Sequence, residues 1–318
     1  MLLVAPTAWS AGASLDRDPG FRVPLPACWR DVTVRRCFAV DRQAGIVWMD
    51  DWANDQLLIR GFDGALVRAI SYHQADIYGQ AAEDSWYHLV LSLACVPGNG
   101  VFVLSGTEPP RVTALDRDGK VLYTYRHLSV PFVSGLLRLC ADQAGSVYVP
   151  ERFAEVPGRG SPFAVGLTKC GGDGTPRWWL QFAGWGYGFG VAPEGTTYLV
   201  NPGSKLAEVY SSDGNITRLF PLSIPPDLSQ ETLGVLGVDR DHHLFLVLGS
   251  DTRRIVVYDS NGNMVSGRWG LAAQGGADRT PMAIDELGSL YFATAESDGL
   301  YLARTQALAE AAVPSPDS

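Results

Sequence analysis

The sequence predicts an all-β fold, a six-bladed β-propeller, and three observations carry that prediction. The first is a repeated motif: an apolar run, a tight turn, then a strand rich in aromatic and β-branched residues. Its copies read CFAVDRQAGIVWMDD, LACVPGNGVFVLSG, RLCADQAGSVYVPE, FGVAPEGTTYLVN, LGVDRDHHLFLVLGS and MAIDELGSLYFATAE. Aligned on Asp41, Val96, Asp142, Pro193, Asp239 and Asp285, they recur every 46 to 55 residues, the period of a blade built of short strands. The second observation is a later turn at matching phase: Asp63-Gly64, Asp118-Gly119, Asp173-Gly174, Asp213-Gly214 and Asn261-Gly262. Such dipeptides supply the positive backbone angles of hairpins, here expected as two-residue turns. The third is that the last copy lacks this turn and has no fourth strand of its own.

Residues 1–20 are expected as a flexible N-terminal segment, 21–304 as one propeller domain and 305–318 as a flexible tail. The segment Phe21–Pro26 precedes the first inner strand and has no blade of its own. It is expected to supply the missing outer strand of the last blade, closing the ring and removing an exposed sheet edge; Pro24 and Pro26 suit an edge. In the first blade the strands are expected at Arg36–Val40, Ile46–Asp50, Gln56–Arg60 and Leu66–Ile70, and in the last at Pro281–Ile284, Leu290–Thr294 and Leu300–Ala303. Two regions exceed the period. Ser71 to His88 connects blades one and two, and Glu151 to Pro162 is inserted between two strands of blade three. Both are expected on the face that carries the blade-to-blade connections, where long loops put binding residues.

Composition narrows function by exclusion. With 25 Lys+Arg against 34 Asp+Glu, the 318-residue chain carries a net charge of −9 and has no basic cluster, so nucleic acid is an unsuitable partner. No apolar run reaches the length of a membrane-spanning helix. The start MLLVAPTAWSAGASLD has no Lys or Arg ahead of its apolar part and is interrupted by Pro6, a weak export signal, so cytoplasmic residence is expected. The five cysteines form no CxxC pair, which points to neither a disulfide framework nor a zinc knuckle. Cys37, Cys95 and Cys140 fall in successive inner strands, where small thiols fill the ring interior.

The repeats, apolar-Asp-x-x-Gly-x-aromatic-apolar followed by Asp-Gly, resemble NHL-repeat propellers and the gluconolactonase (senescence-marker-protein) superfamily, from Phe21 to about Arg304. That resemblance implies a six-bladed ring. It leaves activity open, because such propellers include metal-dependent lactonases, lyases and non-catalytic interaction modules. The lactonases' Gly-Glu-Gly-Pro start is missing; DVTVRRCFAVD stands there, with Arg35 and Arg36 where an acid would be needed.

Counting back eight residues from the first five turn anchors and seven from Asp285 places Thr33, His88, Ser134, Trp185, Glu231 and Asp278 at the mouth of the channel, with Arg35, Arg36, Arg138 and Arg279 nearby. His88, Glu231 and Asp278 are the candidate catalytic residues; they could hold a hard divalent cation such as calcium or exchange protons, or form a solvated rim paired with the arginines. No cofactor is otherwise implied. Trp185, Tyr187, Arg138, Arg279 and His73 are candidate ligand-binding residues. Trp185 and Tyr187 belong to GWGYGFG, Gly184 to Gly190; along a strand its aromatics share one face and its glycines the other, serving close packing between blades or an aromatic wall for a flat ligand. No Gly-x-Ser-x-Gly elbow, His-Glu-x-x-His helix or phosphate-binding glycine loop occurs. The leading expectation is a non-catalytic binding or scaffolding propeller that presents its loop face to a protein or small ligand, by itself or as a subunit of a larger assembly. The alternative is a divergent metal-dependent hydrolase or lyase.

Overall fold

The repeats fold into six antiparallel sheets that make the ring, five of them four-stranded and that of blade 3 five-stranded; the last repeat supplies three strands and takes its fourth from the N-terminal segment. The computed structural model describes residues 17–30, 37–75, 77, 90–106, 111–126, 130–131, 138–153, 164–182, 188–201, 203–224, 233–248, 252–272 and 282–306. Blade 1 comprises Phe38–Asp41, Ile46–Asp51, Gln56–Gly61 and Leu66–Ser71, from the inner to the outer strand. Blades 2 to 5 follow in order, and their inner strands are Val90–Val96, Cys140–Ala141, Gly188–Val191 and Leu233–Val238. Neighbouring inner strands contact one another in sequence, and Phe38–Asp41 meets Met282–Ile284 of blade 6, so the ring is closed.

The second strands read as nearly continuous apolar runs because both faces are covered by adjacent blades. In Ile46–Asp51, Val47 and Met49 join Phe21, Val23, Trp29, Tyr291 and Leu302 in the core between blades 6 and 1. Trp48 faces the other way, onto Val90, Leu93, Val101 and Val103 of blade 2. Burying each such side chain contributes about 1.5–3 kcal/mol.

Closure follows the sequence expectation. Val23–Pro24 pairs antiparallel with Gly299–Arg304, Val23 opposite Leu302 and Pro24 opposite Tyr301. The proline at this edge needs no ladder donor. The contact extends further back: Asp18 N–H donates to the Arg304 carbonyl at 2.9 Å, and Arg304 pairs with the Asp18 carboxylate.

Three expectations are corrected. In the Asp-Gly turns only the glycine takes a positive φ, +83° at Gly64. Gly64 N–H donates to the Gly61 carbonyl, and the register shifts between Ile59 and Arg60; this is a three-residue loop with a bulge, not a two-residue turn. Similar shifts recur at Ala114/Leu115, Lys169/Cys170, Val209/Tyr210 and Val257/Tyr258. In blade 4 the position of the turn aspartate belongs to Ala192, not Pro193: its N–H bonds the Thr196 carbonyl as Asp142 N–H bonds that of Ser146. In blade 3, Glu151 is strand and not insertion. Val147–Phe153 pairs with Ala164–Cys170 along its whole length, and Val130–Pro131 adds a further short strand opposite Glu151 and Arg152.

The turn aspartates have a double task that explains their recurrence. Oδ1 of Asp285 accepts from the N–H groups of Leu287 and Ser289, while Oδ2 accepts from Tyr291. Asp142 repeats this with Ser146 and Tyr148 in blade 3. All of these groups lie on the face opposite the blade-to-blade connections.

Candidate functional site

The face on which the inner strands begin also carries the connections between blades, and there the structure tests the sequence candidates. Arg138 stands just ahead of the inner strand Cys140–Ala141 of blade 3 and donates from Nη1 to the carbonyl of Met282 in blade 6. Blades 3 and 6 are opposite each other in a ring of six, so this guanidinium spans the channel. His73 is exposed in the turn that follows the outer strand of blade 1, at the rim and not at the channel. Trp185, Tyr187, Arg279, His88, Glu231 and Asp278 lie outside the described residues. Among the described residues, no group of three His, Cys, Asp or Glu side chains could hold a metal ion.

The described part of GWGYGFG is Gly188–Gly190. Phe189 is buried against Tyr148, Leu167 and Phe182. Gly188 and Gly190 turn the other way, where an added Cβ would lie 2.9 Å from Val235 N and 2.9 Å from Val238 Cγ2. The glycines therefore admit the inner strand of blade 5 at close range, so Gly188–Gly190 serves packing between blades.

All five cysteines are free thiols. Burial pushes Cys140 up to about 12, with the nearby Arg138 charge acting against it. Burial likewise raises Cys28, to about 11. Neither thiol is the activated nucleophile that a low value would mark.

A polar cluster on the same face escaped the sequence reading. Asp50 and Asp51 end the second strand of blade 1 and precede the short 3-10 turn Trp52–Asn54. Asp51 is well supported: Cys28 Sγ lies 3.3 Å from Oδ1, and Asn54 and Gln56 donate to Oδ2 at 2.8 and 2.9 Å. Asp50 is fully buried. Tyr72 donates to its Oδ1, and Trp29 Nε1 donates to its backbone carbonyl at 2.6 Å. Its Oδ2 has no hydrogen-bond partner among the described residues, and neither does the buried indole N–H of Trp48, two residues earlier on the same face of the strand. Burial, reinforced by the Asp51 and Asp55 charges and opposed by the Tyr72 hydrogen bond, raises the Asp50 carboxyl to about 7.

A signal for Asp50 was present in the repeats. Strand register places it beside Cys37, where blade 2 pairs Ser92 with Leu104 and blade 4 pairs Gly188 with Val200. In the remaining blades this position holds Pro150, Val247 and Ala293. One acid stands in an otherwise apolar column.

No protein-family model matches the chain, and no curated protein matches it in sequence. Solved structures match it in fold. A member of the DUF4221 family from Bacteroides vulgatus is 10% identical, with 92% of this chain and 97% of that chain covered and a TM-score of 0.56. Virginiamycin B lyase from Staphylococcus aureus is 12% identical, with coverage of 89% and 98% and a TM-score of 0.50. A gluconolactonase from Xanthomonas campestris is 16% identical, with coverage of 93% and 99% and a TM-score of 0.49. The first two likenesses, at TM-scores of 0.56 and 0.50, agree with the six-bladed ring that the repeats imply. Among the described residues, no helix is long and apolar enough to cross a membrane.

Proposed function

We propose that this protein is a binding propeller that holds a small anionic ligand at the channel mouth. The observation that supports this reading is Arg138, whose guanidinium reaches across the ring to the Met282 carbonyl. A guanidinium offers donors in a planar fork that fits a carboxylate or phosphate, and a ligand anion competes with a neutral carbonyl for it favourably. The sequence adds to this. Arg35, Arg36 and Arg279 stand five or six residues ahead of Asp41 and Asp285, and Arg138 stands four ahead of Asp142. Arginine therefore recurs before the inner strands of three blades in a chain whose net charge is −9.

Calorimetric titration of the full chain with small mono- and dicarboxylates and phosphate monoesters tests the reading. At least one class is expected to bind, and Arg138→Ala is expected to weaken it by about 10-fold or more, the worth of a charge-assisted hydrogen bond. Equal affinity in wild type and variant, or no anion bound, overturns it. The competing reading, a metal-dependent hydrolase or lyase working through His88, Glu231 and Asp278, is selected instead by calcium-dependent turnover of a lactone or ester that is lost when those three residues are replaced.

A further inference from the structure

We propose that Asp50 and Tyr72 form a proton-controlled latch on the connection between blades 1 and 2, closed when Asp50 carries a proton and loosened when it is ionised. The ligand of this site is the proton itself. The geometry rests on four facts. Asp50 is fully buried in a position that other blades fill with apolar side chains. One of its oxygens is tied to Tyr72 and the other has no partner among the described residues. Tyr72 is itself fully buried and immediately follows the outer strand of blade 1, at the start of the longest connection in the ring. Finally, the backbone there is fastened around Tyr72: its N–H donates to the Asp55 carbonyl, and its carbonyl accepts from Ile77.

The groups around Asp50 favour the proton. From its own strand it faces Asp51, from the turn that follows Asp55, from the N-terminal 3-10 turn Cys28, from the inner strand Cys37, and from the connection Tyr72. None of these is a cation, and the hydrogen bonds and ion pairs of Asp50 include no Lys, Arg or His among the described residues. A buried carboxylate with like charges beside it is relieved either by taking up a proton or by admitting water. Admitting water here means parting Asp50 from the seam between blades 1 and 2, and Tyr72 with it. The acid is thus stored where its ionisation acts on one loop.

Amide hydrogen exchange in the full chain, corrected for the intrinsic pH dependence of exchange, reads the latch at Tyr72, Ala75 and Ile77. The opening constant of these amides is expected to rise about 10-fold per pH unit below neutrality and to level off above about pH 7, because opening returns Asp50 to its solvent value. Asp50→Asn, which keeps the acceptor for Tyr72 and cannot ionise, is expected to give a flat profile. Tyr72→Phe is expected to raise opening at every pH. A flat wild-type profile, a slope unchanged in Asp50→Asn, or unchanged protection in Tyr72→Phe overturns the proposal. Should the Asn variant not fold, the 13C shift of the wild-type Asp50 carboxyl decides: a midpoint near 7 supports the latch and one below about 5 overturns it.

Discussion

Arg42 Nη1 lies 2.8 Å from Oδ2 of Asp285, joining the first turn of blade 1 to the first turn of blade 6 across the seam where the ring closes. The same nitrogen is 2.9 Å from Ser289 Oγ. The Asp285 side chain has no exposed surface, and Tyr291 and two backbone N–H groups complete its shell. Closure is therefore made twice: by the N-terminal strand at the outer edge of blade 6, and by this ion pair at the turns near the axis.

Removing the cation leaves a buried carboxylate with three remaining donors. Arg42→Ala is expected to lower the unfolding free energy by about 2 kcal/mol, below the usual cost of a fully uncompensated buried charge. Urea denaturation at neutral pH measures it; a change under about 0.5 kcal/mol would show the pair to be merely superficial.

The outer closure is more sensitive. Val23 is fully buried and paired with Leu302, so Val23→Asp places an unpaired charge in the seam. A loss of about 3 kcal/mol or more is expected. Deleting residues 1–26 is expected to expose the Gly299–Arg304 edge and promote self-association, which light scattering detects.

Asp50 has an effect on global stability with a definite sign. An acid whose folded pKa exceeds its unfolded one binds more protons in the native state between the two values. Stability is then greatest below the unfolded value, falls as pH rises, and is level above the folded value of about 7. The full loss is about 4 kcal/mol for a shift of this size. Asp50→Leu restores the residue blade 2 carries at Leu104 and gives up the Tyr72 hydrogen bond, worth about 1–2 kcal/mol. The variant is expected to gain about 2 kcal/mol at pH 8 and to gain nothing near pH 5. A uniform destabilisation across that range would contradict the assignment.

His242 occupies the left-handed position of the first turn in blade 5, with φ +64°, where blades 3 and 6 use glycine. Its Nδ1 is 3.0 Å from the Tyr198 hydroxyl. His242→Gly relieves about 1 kcal/mol of backbone strain and forfeits a hydrogen bond of about the same worth, so a change within about 0.5 kcal/mol is expected. His242→Val keeps the strain, adds β-branching and loses the bond; about 2 kcal/mol of destabilisation is expected by the same measurement.

Much of the architecture was legible in the residues. Blade 1's strands fall within one or two residues of where alternation and turn chemistry put them, because those signals are local. The turn form was less so: Asp-Gly serves both a two-residue hairpin and a bulged three-residue loop, and only the register of strands such as Gln56–Gly61 distinguishes them. The one-residue slip at Ala192 has a similar origin, since Pro193 follows an apolar residue in the place other repeats give to aspartate. At the site, Arg138 was named from its nearness to the mouth, but its partner was not, and Asp50 was passed over as the end of a strand.

Sequence alone determined the ring: six copies, a shared phase of turns, and a first strand left over to complete the last blade. These follow from side-chain alternation and turn preference, which act over a few residues. Only the tertiary structure decided which distant groups meet. Arg42 finds Asp285 across 243 positions, and Arg138 finds Met282 across 144. Asp50 and Tyr72, 22 apart, meet because strand register turns both into one seam. Such pairings depend on register and ring curvature, which no local pattern encodes.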